Sequence, residues 1–111
     1  MVKIEAIIQP FKFDEVRQAL ECLGVAKTLI HYVMSHGDGR IKAYYRGAEY
    51  PAELPRIKIE LLAPSDRVDE IVSALMRAAR TSAGDDGMIL VFEVADAIRI
   101  HNGAHLQYTL A

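Results

Sequence analysis

Asp85 and Asp86 stand side by side in a glycine-bounded run, Gly84 to Gly87. Two adjacent carboxylates can ligate a divalent ion or work as an acid and a base. Aspartate in a glycine turn also braces its own backbone, and that use is preferred here because no nucleophile with a matching base accompanies the pair. Four histidines, His31, His36, His101 and His105, raise the question of a metal. Only His101 and His105 lie close in sequence, and a metal site needs three or four ligands, so none is expected. Cys22, near the end of a helical pattern, is expected to be a small buried side chain and not a nucleophile. The other chemically loaded stretch is "YYRGAEYPAELP", Tyr44 to Pro55. Its tyrosines are amphipathic anchors of the kind used in recognition, and Tyr50, between Glu49 and Pro51, is an accessible target for modification.

The elements that must position these residues follow from a chain of 111 residues, near the usual size of one domain. A hydrophobic fraction of 51% and a charged fraction of 25% are those of a globular protein. A formal net charge of -2 supplies no basic field for nucleic acid, so a nucleic-acid partner is not expected. No apolar run is long enough for a membrane span, and "MVKIEAIIQPF" has none of the parts of a secretion signal. One cysteine allows no internal disulfide and fits a reducing compartment, so a cytoplasmic location is expected.

Internal duplication is visible. "KIEAIIQPFKFDEVRQAL" from Lys3 aligns without a gap on "KIELLAPSDRVDEIVSAL" from Lys58. Each copy opens with an alternating strand: Val2, Ile4, Ala6 and Ile8 share one face, as do Ile57, Ile59 and Leu61. Helical spacing follows, in Phe13, Val16, Ala19, Leu20 and Leu23, then in Val68, Ile71, Val72 and Leu75. Ser65 is placed to cap the second helix. Strands over Thr28 to Ser35 and Met88 to Ala95 close the copies. The result is an α+β fold, a ferredoxin-like βαββαβ unit with an antiparallel sheet and both helices on one face. The opposite face carries Lys3, Glu5 and Ile7 beside Lys58, Glu60 and Leu62. Pairing of these lysines and glutamates across a symmetric oligomer would suit that mixture, and a solvated face with snorkelling lysines would suit it equally.

Between the second and third strands, about residues 36–55, no helical or alternating pattern is present. A connection that long in a compact domain is usually functional or unstructured. Gly37 and Gly39 loosen its base, Pro51 and Pro55 stiffen its exit, and Arg40, Lys42, Arg46, Glu49 and Glu53 charge its surface.

With the duplicated unit and "YRGAEY" together, the whole chain resembles the PII signal-transduction proteins, the nitrogen regulatory P-II family. The resemblance also rests on "LPRIKIE", "AARTSAGDDG" and "AIRI". It identifies residues 36–55 as the family's T-loop, with Tyr45, Arg46, Gly47, Ala48, Glu49 and Tyr50 as the partner-binding segment and Tyr50 where many members are uridylylated. It implies one domain over residues 1–111 with a C-terminal segment at about 96–111, a homotrimer, and adenine nucleotide in clefts between subunits. By resemblance Ile7, Gly37, Glu60, Asp86, Gly87 and Arg99 line that cleft. The partners implied are an ammonium-transporter-like membrane protein or an enzyme of nitrogen assimilation, controlled by a chain that is not itself an enzyme.

Departures from the family pattern bear on the ligand. Members typically read T-G-K-I-G-D-G-K where this chain has "TSAGDDGM", Thr81 to Met88, so Ala83 and Met88 replace two lysines and Asp85 replaces a glycine. Arg99 keeps the first of two C-terminal arginines and His101 replaces the second. At the loop's base Asp38 and Gly39 stand where members have an arginine and the glutamine that ligates Mg and contacts 2-oxoglutarate; Asp38 is a hard oxygen ligand that could take a divalent ion, but the usual 2-oxoglutarate contact is lost. The expectation is a divergent PII regulator whose ATP binding is weakened, with ADP or AMP easier to keep. The alternative is a nucleotide-independent PII-fold interaction module answering to another small ligand or a metal.

Overall fold

The computed structural model describes residues 1–36, 42–51, 53–82, 84 and 86–106, and of 42–45 and 49–51 the backbone. Six strands and two helices follow in the order β1 (Val2–Ile8), α1 (Phe13–Cys22), β2 (Leu29–His36), β3 (Lys42–Tyr45), β4 (Ala48–Pro51), β5 (Glu53–Ala63), α2 (Val68–Ala79) and β6 (Gly87–Glu93). The main sheet has the order β2-β5-β1-β6, antiparallel throughout, and β3 and β4 form a separate hairpin. This is the ferredoxin-like α+β arrangement the duplication predicts.

The duplication is carried through in detail. Pro10–Lys12 and Ser65–Arg67 both form a 3-10 turn that leads straight into the helix. Lys12 pairs with Glu15 at 3.3 Å, and its counterpart Arg67 pairs with Glu70, each across three residues of a helix's first turn. Arg67 also donates to the Leu23 carbonyl at 2.8 Å, tying the start of α2 to the end of α1. Ser65 is not a helix cap: it opens the 3-10 turn, neither helix has a side-chain cap, and the Ser65 hydroxyl instead receives the Met1 ammonium at 3.4 Å. A Pro-led 3-10 turn pre-forms the helical dihedrals, which makes a separate cap dispensable.

Alternation along β1 and β5 sends Ile4, Ala6, Ile8, Ile57, Ile59 and Leu61 against Val16, Leu20, Ile71 and Leu75 of the helices. Ile4, Ile8, Val16, Ile59, Ile71 and Leu75 are sealed from solvent, each contributing about 1.5–3 kcal/mol through burial. Cys22 is exposed, contrary to expectation.

The expected structureless connection is shorter than the sequence suggests. β2 runs to His36 and β5 starts at Glu53, paired to the end as His36↔Glu53, so a two-stranded ribbon continues past the sheet. Pro55 lies inside β5 opposite Met34, although proline argued for a loop exit. β1 reaches only to the Ile8↔Ile57 pair, so at Pro55 β5 is flanked by β2 alone, the edge-like position in which a strand accommodates proline.

Candidate functional site

The two copies differ where helix returns to sheet. Glu60 pairs with Leu29, and its counterpart Glu5, 55 residues earlier, pairs with Leu90, so Leu29 corresponds to Leu90, 61 residues on. The second copy therefore holds six extra residues between its first and second strands. Two of them lengthen α2, 12 residues against 10 in α1, one lies in the connection from Arg80 to Asp86, and three extend the start of β6, which begins at Gly87, ahead of the counterpart of Leu29. A duplicated unit that is kept elsewhere and lengthened from the end of α2 to the start of β6 points to that stretch as the specialised part.

This connection borders a groove of about 400 Å3 between α2 and β6. Val72, Met76, Ala79 and Arg80 form one wall, and Ile7, Asp86, Gly87, Met88 and Ile89 the other. The lining is mostly apolar with Arg80 and Asp86 at its mouth. Gly87 is required by geometry: its φ is 108°, and a Cβ there would lie 1.8 Å from the Ile7 carbonyl oxygen. Only glycine lets the edge strand approach β1 this closely.

Asp86 accepts a hydrogen bond from the Thr81 hydroxyl, which closes the connection on itself. That hydroxyl and the Thr81 backbone N–H hold the Asp86 carboxyl below its usual range, opposed by burial and helped by the charges of Arg80 and Lys12. Asp86 is thus a fixed carboxylate acceptor at the groove's mouth, the bracing role that its glycine-rich setting suggests. Asp85 and Ala83 lie outside the described residues.

On the sheet's outer face the two copies meet. Glu5 and Glu60 are direct cross-strand partners, with Lys3 at 3.0 Å from the first and Lys58 at 3.4 Å from the second. Each lysine already has its glutamate within the chain, so pairing across subunits is not needed to satisfy them. The bond from Lys3 lowers the Glu5 carboxyl, and the bond to Glu5 raises the Lys3 ammonium despite burial. Lys3 also sits 5.0 Å from the Phe92 ring centre, and His31 is 3.8 Å from Glu60. A shallow recess of about 320 Å3, lined by Lys3, Lys27, Leu29, Glu60 and Leu62, opens here.

Of the residues expected to line a nucleotide cleft, Ile7, Asp86 and Gly87 converge in the groove between α2 and β6. Glu60 belongs to the outer-face cluster, Arg99 lies in the C-terminal segment, and Gly37 lies outside the described residues. In that segment Arg99 and Ala104 join N–H to carbonyl at 2.8 Å, Ile98 bridges His105, and the His105 ring meets Asp96 at 2.8 Å. Arg80 and Met76 in the groove were missed by motif reasoning, although the six-residue excess marks the place, whereas Met88 was already marked as standing in place of a family lysine. Among the described residues no three His, Cys, Asp or Glu side chains converge as a metal site requires.

Of the expected partner-binding residues, Tyr45 ends β3, Arg46 and Gly47 make the turn, and Ala48, Glu49 and Tyr50 belong to β4. Arg46 and Gly47 both have positive φ, 52° and 78°, the pattern of a two-residue type I′ hairpin turn. The side chains of Tyr45, Glu49 and Tyr50 lie outside what is described.

The sequence profile described as "Nitrogen regulatory protein P-II" matches residues 1–104. Nitrogen regulatory protein P-II 1 of Escherichia coli (strain K12) is 47% identical over 107 residues, 93% of this chain and 94% of that protein. The protein of the same name from Salmonella typhimurium shows the same identity and coverage. Nitrogen regulatory protein P-II of Haemophilus influenzae is 43% identical over the same 107 residues.

Proposed function

This chain belongs to the nitrogen regulatory protein P-II family, and from that premise we propose that it is a homotrimeric cytoplasmic regulator acting through the loop between β2 and β5. Its target is a membrane transporter of the ammonium-transporter class or an enzyme of nitrogen assimilation. The observation that carries this is the ribbon: β2 and β5 extend paired beyond the sheet to His36↔Glu53, and the YRGAEY hairpin follows on that extension. A two-stranded extension followed in sequence by a short hairpin would present a few side chains beyond the sheet, which suits insertion into a partner's cavity.

The groove between α2 and β6 is the small-molecule side of the switch. Its volume falls within the about 300–1,000 Å3 typical of ligand pockets. Val72 and Ile89 offer an apolar seat for a nucleoside base, Asp86 an ionised acceptor for its hydroxyl groups, and Arg80 a cation. A polyphosphate fits these residues poorly, and adenine-nucleotide binding is accordingly altered or weakened. Gly37, Glu60 and Arg99 would complete the cleft between subunits. Occupancy biases the loop among conformations with different partner affinity. Uridylylation of Tyr50 is a second input to the same hairpin, adding bulk and negative charge at its return strand.

The test is made in cells. Ammonium uptake should shut off after an ammonium pulse with the intact chain and stay open when residues 43–50 are replaced by a Gly-Ser linker. Equal shut-off by both chains would remove the loop from the mechanism.

A further inference from the structure

We propose that Asn102–Gly103, at the tip of the C-terminal hairpin, is a site of spontaneous covalent modification, where Asn102 becomes aspartate or isoaspartate at a rate set by opening of that hairpin. The inference stands apart from the nucleotide and loop roles given above. Asn102 is the only asparagine in the chain, and glycine follows it. Both residues are exposed. Gly103 has a φ of 69°, and a Cβ there would meet nothing within 4 Å, so no side chain crowds the backbone nitrogen that has to attack.

The step needs only solvent. The Gly103 nitrogen, after losing its proton to water or hydroxide, bonds to Cγ of Asn102. The Cγ–Nδ2 bond breaks, and the amide nitrogen leaves as ammonia with a proton taken from solvent. Water then opens the five-membered imide at Cγ, giving aspartate, or at the main-chain carbonyl, giving isoaspartate. Either product carries a new carboxylate at the turn.

The hairpin both favours and restrains this reaction. The Ala104 N–H donates to Asn102 Oδ1 at 2.9 Å, the oxygen on which negative charge collects during attack. The Gly103 N–H donates to the Arg99 carbonyl at 2.8 Å, which keeps the proton on the nucleophile and holds it back. Release of that bond is the gate. Around it the Arg99 N–H meets the Ala104 carbonyl and the Leu106 N–H the Ala97 carbonyl, each at 2.8 Å, and the His105 ring meets Asp96 at 2.8 Å. Exposed contacts of this kind are weak, so the hairpin opens at little cost. Isoaspartate adds a methylene to the main chain at the turn, which displaces the Gly103 and Ala104 donors and leaves the hairpin open.

The intact chain is incubated at mildly alkaline pH, folded and in urea, then followed by fragment-resolved mass spectrometry and labelling with an isoaspartyl methyltransferase. Exchange of NH for O changes the mass, whereas isomerisation at Asp38–Gly39 or Asp86–Gly87 does not, so a mass gain at position 102 reports this site. The folded chain should convert, more slowly than the chain in urea, and part of its product should accept the methyl label. His105→Ala, which removes the contact with Asp96, should convert about twofold to fivefold faster when folded, with its fold checked by circular dichroism. Asn102→Gln should show no gain at that position. A folded chain that keeps its mass while the chain in urea converts would overturn the proposal, as would equal rates in folded wild type and His105→Ala.

Discussion

Asp86 shows how a single residue braces a connection. Its carboxyl is held below the usual range first by the Thr81 hydroxyl, then by the Thr81 N–H. A group with a depressed folded pKa stabilises the fold above its unfolded value, and that contribution is lost as pH falls through the folded one. Thr81→Val keeps the shape and removes the hydroxyl, so the Asp86 titration, followed by carboxyl NMR, should move up toward the ordinary aspartate range. Folded and unfolded pKa then converge, so the stability that this carboxylate contributes above its unfolded pKa, and the part of the acid limb owed to it, should both shrink. A titration unmoved by the substitution would mean the hydroxyl does not hold the carboxylate. At this scale the bracing by Asp86 and the backbone constraint at Gly87 were legible in the glycine-aspartate motif, while Ile7 entered by resemblance alone. Arg80 and Met76 were not legible, since an arginine and a methionine near a helix end carry no signal until α2 and β6 are seen side by side. Cys22 was misjudged for a plain reason: Leu20 is buried, and two residues along a helix is more than half a turn away.

Among the elements, strands β1 and β5 and both helices were legible through alternation, helical spacing and duplication. The β3–β4 hairpin was not. Its strands are four residues each, and its turn is Arg-Gly, not the Asn-Gly or Asp-Gly that announces a type I′ turn. Arg46 occupies the left-handed region at φ 52°, which costs about 1–2 kcal/mol for a side chain other than glycine, asparagine or aspartate. Arg46→Asn should relieve part of that cost and slow amide hydrogen exchange across the Ala43↔Tyr50 and Tyr45↔Ala48 pairs severalfold. Exchange unchanged or faster would mean that the turn does not limit the hairpin. The retention of arginine at a strained tip is consistent with a residue kept for contact with a partner and not for the turn itself.

The whole molecule is two copies of one unit joined back to back at Glu5 and Glu60, with helices on one face and a half-apolar, half-charged face opposite. The sequence exposed that mixed face but not its solution: Lys3 and Lys58 are neutralised along their own strands, which leaves a surface of low net charge. Such a face can be buried against further copies without stranding an ion, as the proposed trimer requires. Light scattering should give the mass of three chains, and Glu5→Lys, which leaves Lys3 and a new cation unpaired, should shift the population toward one. A wild-type mass of one chain at micromolar concentration would contradict the trimer.

The central claim is that this scaffold exists to present the YRGAEY hairpin to a partner. The most direct measurement is capture from native cells on the intact chain and on the chain with residues 43–50 replaced by a Gly-Ser linker, with retained proteins identified by mass spectrometry. The account predicts that a transporter or nitrogen-assimilation enzyme is held by the intact chain and lost with the hairpin. The same proteins retained by both chains would contradict it.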